Sequence, residues 1–237
     1  MKIVKAVDEF NQGGHLIHVC DFVGAYVRGK TREEALKKLG RELRQYCLWQ
    51  RIPFSEEFSA EIVEEKESEL QIADADSDVL LEGEDTPLTL AEYQALKAVA
   101  LKSARDFQAL YESVPQKDVP LKHPRGTFYG SIPVTAEEMY EHTKNVNDYY
   151  FGEIDVSSDH EGDILSCRIR GFERLEKMPD FLKNGVLEGS YGENWSLRKV
   201  CRRFVWHDRI HARALYRAAV KRFGREKIAN PFCFEES

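Results

Sequence analysis

From Thr89 onward the apolar residues of this chain recur at helical spacing almost without interruption, whereas before Ala73 they fall in short, weakly alternating runs. Helices and strands bury their apolar faces with different repeats, so a switch of period marks a switch of architecture. It predicts an α+β chain: a small N-terminal αβ domain with one helix on a sheet, followed by a four-helix bundle. The bundle half carries its own punctuation. Thr89-Leu90-Ala91-Glu92 and Thr135-Ala136-Glu137-Glu138 each place a threonine three residues before a glutamate. At that spacing, hydroxyl and carboxylate satisfy each other's backbone N–H at a helix start. The first helix buries Leu96, Val99, Ala100, Phe107, Leu110 and Tyr111 and runs to Val114-Pro115; the second runs through Met139, Val146, Tyr149 and Tyr150. A third spans Ile164 to Lys183 with an interruption near Pro179, and the longest runs from Trp195 to Phe223, stopped by Gly224.

The first seventy residues read differently. Gly14 to Val19 and Phe22 to Val27 alternate as strands, and Thr31 with Glu34 repeats the capping spacing. Behind that cap Ala35, Leu36, Leu39, Leu43 and Tyr46 make one helix face, ended by Ile52-Pro53. Phe58 to Val63 and Glu69 to Ala73 read as two further strands. The acidic stretch ADADSDVLLEGEDTP has little helical pattern, which makes 74–87 a linker between a domain at 1–73 and one at 88–237.

Composition narrows the function. A chain of 237 residues, 42% hydrophobic, is long enough to bury a core without staples. No apolar run approaches the length of a bilayer, and the N-terminus lacks the apolar core and cleavage site of a signal peptide, so neither membrane insertion nor secretion is expected. Cys20, Cys47, Cys167, Cys201 and Cys233 are scattered and odd in number, as expected for idle thiols in a reducing cytoplasm. The net charge of −7 argues against nucleic acid as a partner. It is unevenly spread: Lys66 is the only base between Glu56 and Asp85, and Asp208 and Glu226 are the only acids between Arg198 and Lys227. Such asymmetry fits an anion-binding face, or two regions that neutralise each other or stay solvated.

Chemistry concentrates on the last helix. His207 and His211 are four residues apart, so their rings share one face and can hold a divalent transition metal together. His142, early in the second helix, supplies a third imidazole from a facing helix, the usual construction of a site inside a bundle. The remaining histidines are less well placed. His15 and His18 lie in the first strands and His123 in a Pro-flanked loop, while His160, with Asp159 and Asp163, makes a rival site in a polar loop.

A histidine early in the second helix, an HxxxH on the last and the stretch Glu193-Asn194-Trp195-Ser196-Leu197-Arg198-Lys199-Val200 leading to it resemble the DinB/YfiT-like superfamily over roughly residues 88 to 230. The resemblance implies that His142, His207 and His211 bind zinc, nickel or iron. It also implies thiol transfer, isomerisation or hydrolysis at the open coordination positions, a small-molecule or thiol substrate, and a homodimer. Related iron enzymes carry HxxxHxE; here Arg213 stands in place of the acid, which counts against iron-dependent oxidation. Arg203, one turn before His207, is either an anion-greeting or a solvated arginine. Asp208 and Tyr149 or Tyr150 are candidates to support the ligands or supply an acid.

Val23-Gly24-Ala25-Tyr26-Val27-Arg28-Gly29-Lys30-Thr31-Arg32-Glu33-Glu34-Ala35 resembles, more weakly, the HicB-like antitoxin domain. That resemblance implies the fold, and no DNA-binding module accompanies it. The expectation is therefore a cytoplasmic metal-dependent thiol transferase or hydrolase. A non-enzymatic scaffold or an antitoxin-like interaction protein is the alternative.

Overall fold

The structure is a computed structural model and describes residues 2–72, 76–127 and 130–235. The chain divides into two compact units, Met1–Gly83 and Glu84–Ser237.

The first unit is a four-stranded sheet in the order β3-β2-β1-β4, built from β1 (Lys2–Asn11), β2 (Gly14–Val19), β3 (Tyr26–Gly29) and β4 (Phe58–Glu67). The first three strands are antiparallel neighbours, while β4 returns parallel to β1 after a crossover through α1 (Arg32–Leu36) and α2 (Leu39–Gln50). The single helix expected after Thr31 is thus two consecutive helices. Thr31 Oγ1 accepts from Glu34 N at 3.2 Å, but the carboxylate of Glu34 reaches Lys30 N at 3.1 Å and not the threonine's own N–H. Gly29 is required there, because a Cβ on it would lie 2.4 Å from Ala35 N.

Three strand expectations change. The strand expected at Phe22 to Val27 starts only at Tyr26 and runs to Gly29. The residues from Phe58 form one long strand, with a register shift opposite Ala6/Val7, and Glu69 to Ile72 add none; Ala73 lies outside the described residues. The sequence also concealed β1. Val4, Ala6, Val7, Asp8 and Glu9 are all buried, a run without alternation, because both faces of this central strand are covered. One cover is the stretch read as a linker. Val79 and Leu81 pack on Val7, and Ser77 donates to Glu9 Oε2 at 2.6 Å. Residues 76–83 therefore belong to the first unit and 84–87 to the second, where Glu84 pairs with Arg202 through bonds of 2.5 and 2.9 Å; 74 and 75 lie outside the described residues.

The second unit holds α3 (Leu90–Ser113), α4 (Ala136–Gly152), α5 (Ile164–Leu175) and α6 (Leu197–Phe223). Both expected capping boxes are complete, Thr89 with Glu92 and Thr135 with Glu138. The third helix stops at Leu175, well before Pro179, and Ser196 caps α6 by accepting from Lys199 N, which places its start two residues later than the pattern suggested. The central polar feature is Arg168 on α5. Its guanidinium donates to Asn147 Oδ1 on α4 at 2.8 Å, to Ala100 O on α3 at 3.1 Å and to Asp208 on α6 at 3.1 Å. One side chain thus ties all four helices. After Gly224 the chain folds back, with Phe232 and Phe234 stacked 5.4 Å apart and Ala229 N bonded to Ser113 Oγ. Among the described residues, no helix is long and apolar enough to cross a membrane.

Candidate metal centre

The capping box at Thr135 fixes where α4 starts, and so where His142 stands, just under two turns along it. On α6, His207 and His211 are one turn apart and their ring centroids lie 4.3 Å from each other. The His142 ring is 5.2 Å from that of His207 and 4.6 Å from that of His211. One nitrogen of each ring falls within 4.8 Å of the others. The three residues singled out in the sequence are therefore brought together, across two helices that are distant in the chain.

Their environment favours the neutral imidazole. Burial, then the neighbouring imidazoles, hold His207 and His211 well below the usual histidine range, and burial alone lowers His142. A neutral ring has the lone pair that a metal requires. His207 is 9% exposed and its Nδ1 has no hydrogen-bond partner among the described residues. A buried polar atom without a partner calls for an explanation, and a cation is one. Three imidazole nitrogens suit zinc, nickel or iron, and they are too few to close a tetrahedral ion. The residues fit the group. His142 is the most exposed of the three and marks the side reached from solvent.

The supporting residues differ from expectation. Asp208 is fully buried and turns into the core onto Arg168, so it does not support the histidines. Tyr150 does meet His207, edge-on with centroids 6.0 Å apart, and burial raises its hydroxyl's pKa; Tyr149 packs on Trp195 and Tyr150 instead. Arg203 is 7% exposed and lies over the rings of Tyr150, Trp195 and Trp206 at 5.4, 5.5 and 4.8 Å, which overturns its reading as a solvated arginine. The same holds for much of the basic stretch, since Lys199, Arg202 and Arg209 are buried as well. Arg213 lies over the Phe234 ring at 4.9 Å.

The rival site does not assemble. Asp159 is held by Arg170 and Arg174, which keep its carboxyl down at about 2, and Asp163 caps α5 by accepting from Ser166 N at 2.7 Å. His15 and His18 each face a carboxylate in the first unit, Asp8 at 2.9 Å and Glu9 at 3.1 Å. Sequence reasoning passed over Lys122, in the loop between α3 and α4. It is half-buried, and its charge acts on His211. Neither a motif nor a spacing marks it. Among the described residues, His142, His207 and His211 are the one group of three or more such side chains placed to hold a metal ion. Comparison with family models, with curated proteins and with solved structures gives no match to this chain.

Proposed function

We propose that the second unit is a divalent-metal-binding bundle of the DinB/YfiT-like kind, with His142, His207 and His211 as ligands to zinc, nickel or iron, and that it acts as a metal-dependent thiol transferase or hydrolase on a small substrate. The observation that carries this reading is the convergence of three imidazoles from α4 and α6, two of them buried. An ion there supplies a Lewis acid with an open position, able to ligate a thiolate or acidify bound water. The chain's own residues do the rest. Burial keeps the ligands deprotonated, Tyr150 packs against His207, and the exposed edge at His142 admits a substrate. A cytoplasmic setting fits the five cysteines, none of which is disulfide-bonded.

The test is elemental analysis of protein purified without a His-tag or added metal, beside an H207A/H211A variant. About one equivalent in the wild type, lost in the variant, is expected. No metal in either, even after incubation with nickel, zinc or iron, overturns the reading.

A further inference from the structure

A cavity of about 590 Å³ lies between the C-terminal end of α4 and the short strand Leu187–Glu188, and none of the three histidines lines it. Its volume is that of a small-molecule site. Asp148, Glu153, Asp155 and Glu188 line it, together with no lysine or arginine, and none of the four is in an ion pair among the described residues. Acids close by in the chain are answered, Asp159 by Arg170 and Arg174, and Glu193 by Lys199 at 2.8 Å. Three of the four unanswered acids gather around the end of α4, where the helix dipole is negative, and the last turn holds no base. That placement is unfavourable unless a cation joins it.

Glu153 is the buried member, 6% exposed. One of its carboxylate oxygens accepts from Ser190 N at 2.6 Å, and the other has no protein donor among the described residues. A buried carboxylate with an empty acceptor facing a cavity calls for a partner. The main chain is shaped around this group, since a Cβ on Gly189 would lie 1.7 Å from Glu153 Oε2. Tyr149 also lines the cavity, its ring braced edge-on against Trp195 at 5.8 Å, and an aromatic ring attracts ammonium groups. Among the described residues, no three of the carboxylates lie as close together as a single metal ion requires. The cation that suits them carries its charges apart.

We propose that this cleft binds a linear aliphatic polyamine, with one ammonium group on Glu153, others on the exposed Asp148, Asp155 and Glu188, and the methylenes between them against Tyr149. The site shares no residue with the metal centre and does not depend on it.

The test is calorimetric titration of the full chain with spermidine at about 0.15 M salt, where attraction to distant charges is screened beyond about 8 Å. Saturable binding at one site is expected in the wild type. Binding to D148N/E188Q should be about tenfold weaker, as the loss of two partly screened ion pairs provides. E153Q, which keeps an acceptor for Ser190 N, should weaken it as well. E61Q/E69Q removes the same charge from exposed positions of the first unit and should leave binding unchanged. No binding, or wild-type binding in D148N/E188Q, overturns the proposal. So does equal weakening in both double variants, or displacement by magnesium at equal ionic strength, since either would mean diffuse attraction to the net charge. A trilysine peptide that binds more tightly than spermidine would assign the cleft to a protein segment and overturn the small-ligand assignment.

Discussion

Asp208, the partner of Arg168, is the residue next to His207, and neither member of the pair is exposed to solvent. Consecutive helical residues point about 100° apart, so anchoring Asp208 toward α5 turns His207 toward α4. The ion pair therefore sets the rotation of α6 about its axis, and with it the direction in which the histidines face. Removing one partner leaves the other charged and buried. R168M is expected to cost about 3–5 kcal/mol in urea unfolding, with the R168M/D208L double variant recovering part of that loss. A double variant as unstable as the single one would contradict this account.

The histidine cluster gives the metal-free protein a pH signature. His207 and His211 are held well below the ordinary 6.5 and stay neutral when folded, while the unfolded chain takes up protons as pH drops through 6.5. The unfolded state then binds more protons, so stability is level from this source above about pH 7.5 and declines toward pH 5.5. Denaturant titrations at pH 7.5, 6.5 and 5.5 should show that decline in the wild type and a much flatter profile in H207L/H211L.

Gly171, within α5, offers a test in which the sign is informative. Alanine in a helix interior ordinarily gains about 1 kcal/mol over glycine. Here a Cβ would lie 2.0 Å from Cε2 of Phe151, a fully buried ring that would have to shift. G171A is expected to lower stability by about 1–3 kcal/mol, read by thermal denaturation, and G171A/F151L to recover part of it.

How far the sequence reaches is clear from particular residues. The three histidines were legible because the helix repeat sets His207 and His211 on one face of α6 and a capping box fixes where His142 stands on α4. The strand β1 was not, because burial on both faces erases the alternation that identifies a strand. The 74–87 stretch misled for a related reason. Its acidic residues read as solvent-facing, but Ser77, Val79 and Leu81 are buried among them. Asp208 beside His207 looked like support for the ligands. Only the packing of α5 reveals that its partner is Arg168.

That acidic stretch makes its own prediction. Leu81 is 7% exposed and packs with Val7 and Val79, so L81A in the full chain is expected to destabilise the first unit by about 2 kcal/mol. Amide hydrogen exchange on β1 and β2 should accelerate while that of α3 to α6 stays unchanged. Equal acceleration throughout would mean that Leu81 is not confined to the first unit.

The two carboxylate–histidine pairs on the sheet have a consequence for pairing fidelity. Asp8 and Glu9 are neighbours on β1 and point to opposite faces, Asp8 toward His15 and Arg32, Glu9 toward His18 and Ser77. Apolar residues line both sides of this strand, so hydrophobicity alone would accept it shifted by one position against β2. The charges would not. A shift of one residue would exchange the faces of the two acids, parting Asp8 from Arg32 and Glu9 from Ser77. What reads in the sequence as an unremarkable Asp-Glu dipeptide thus acts as a key cut on both edges, admitting a single alignment of the hairpin.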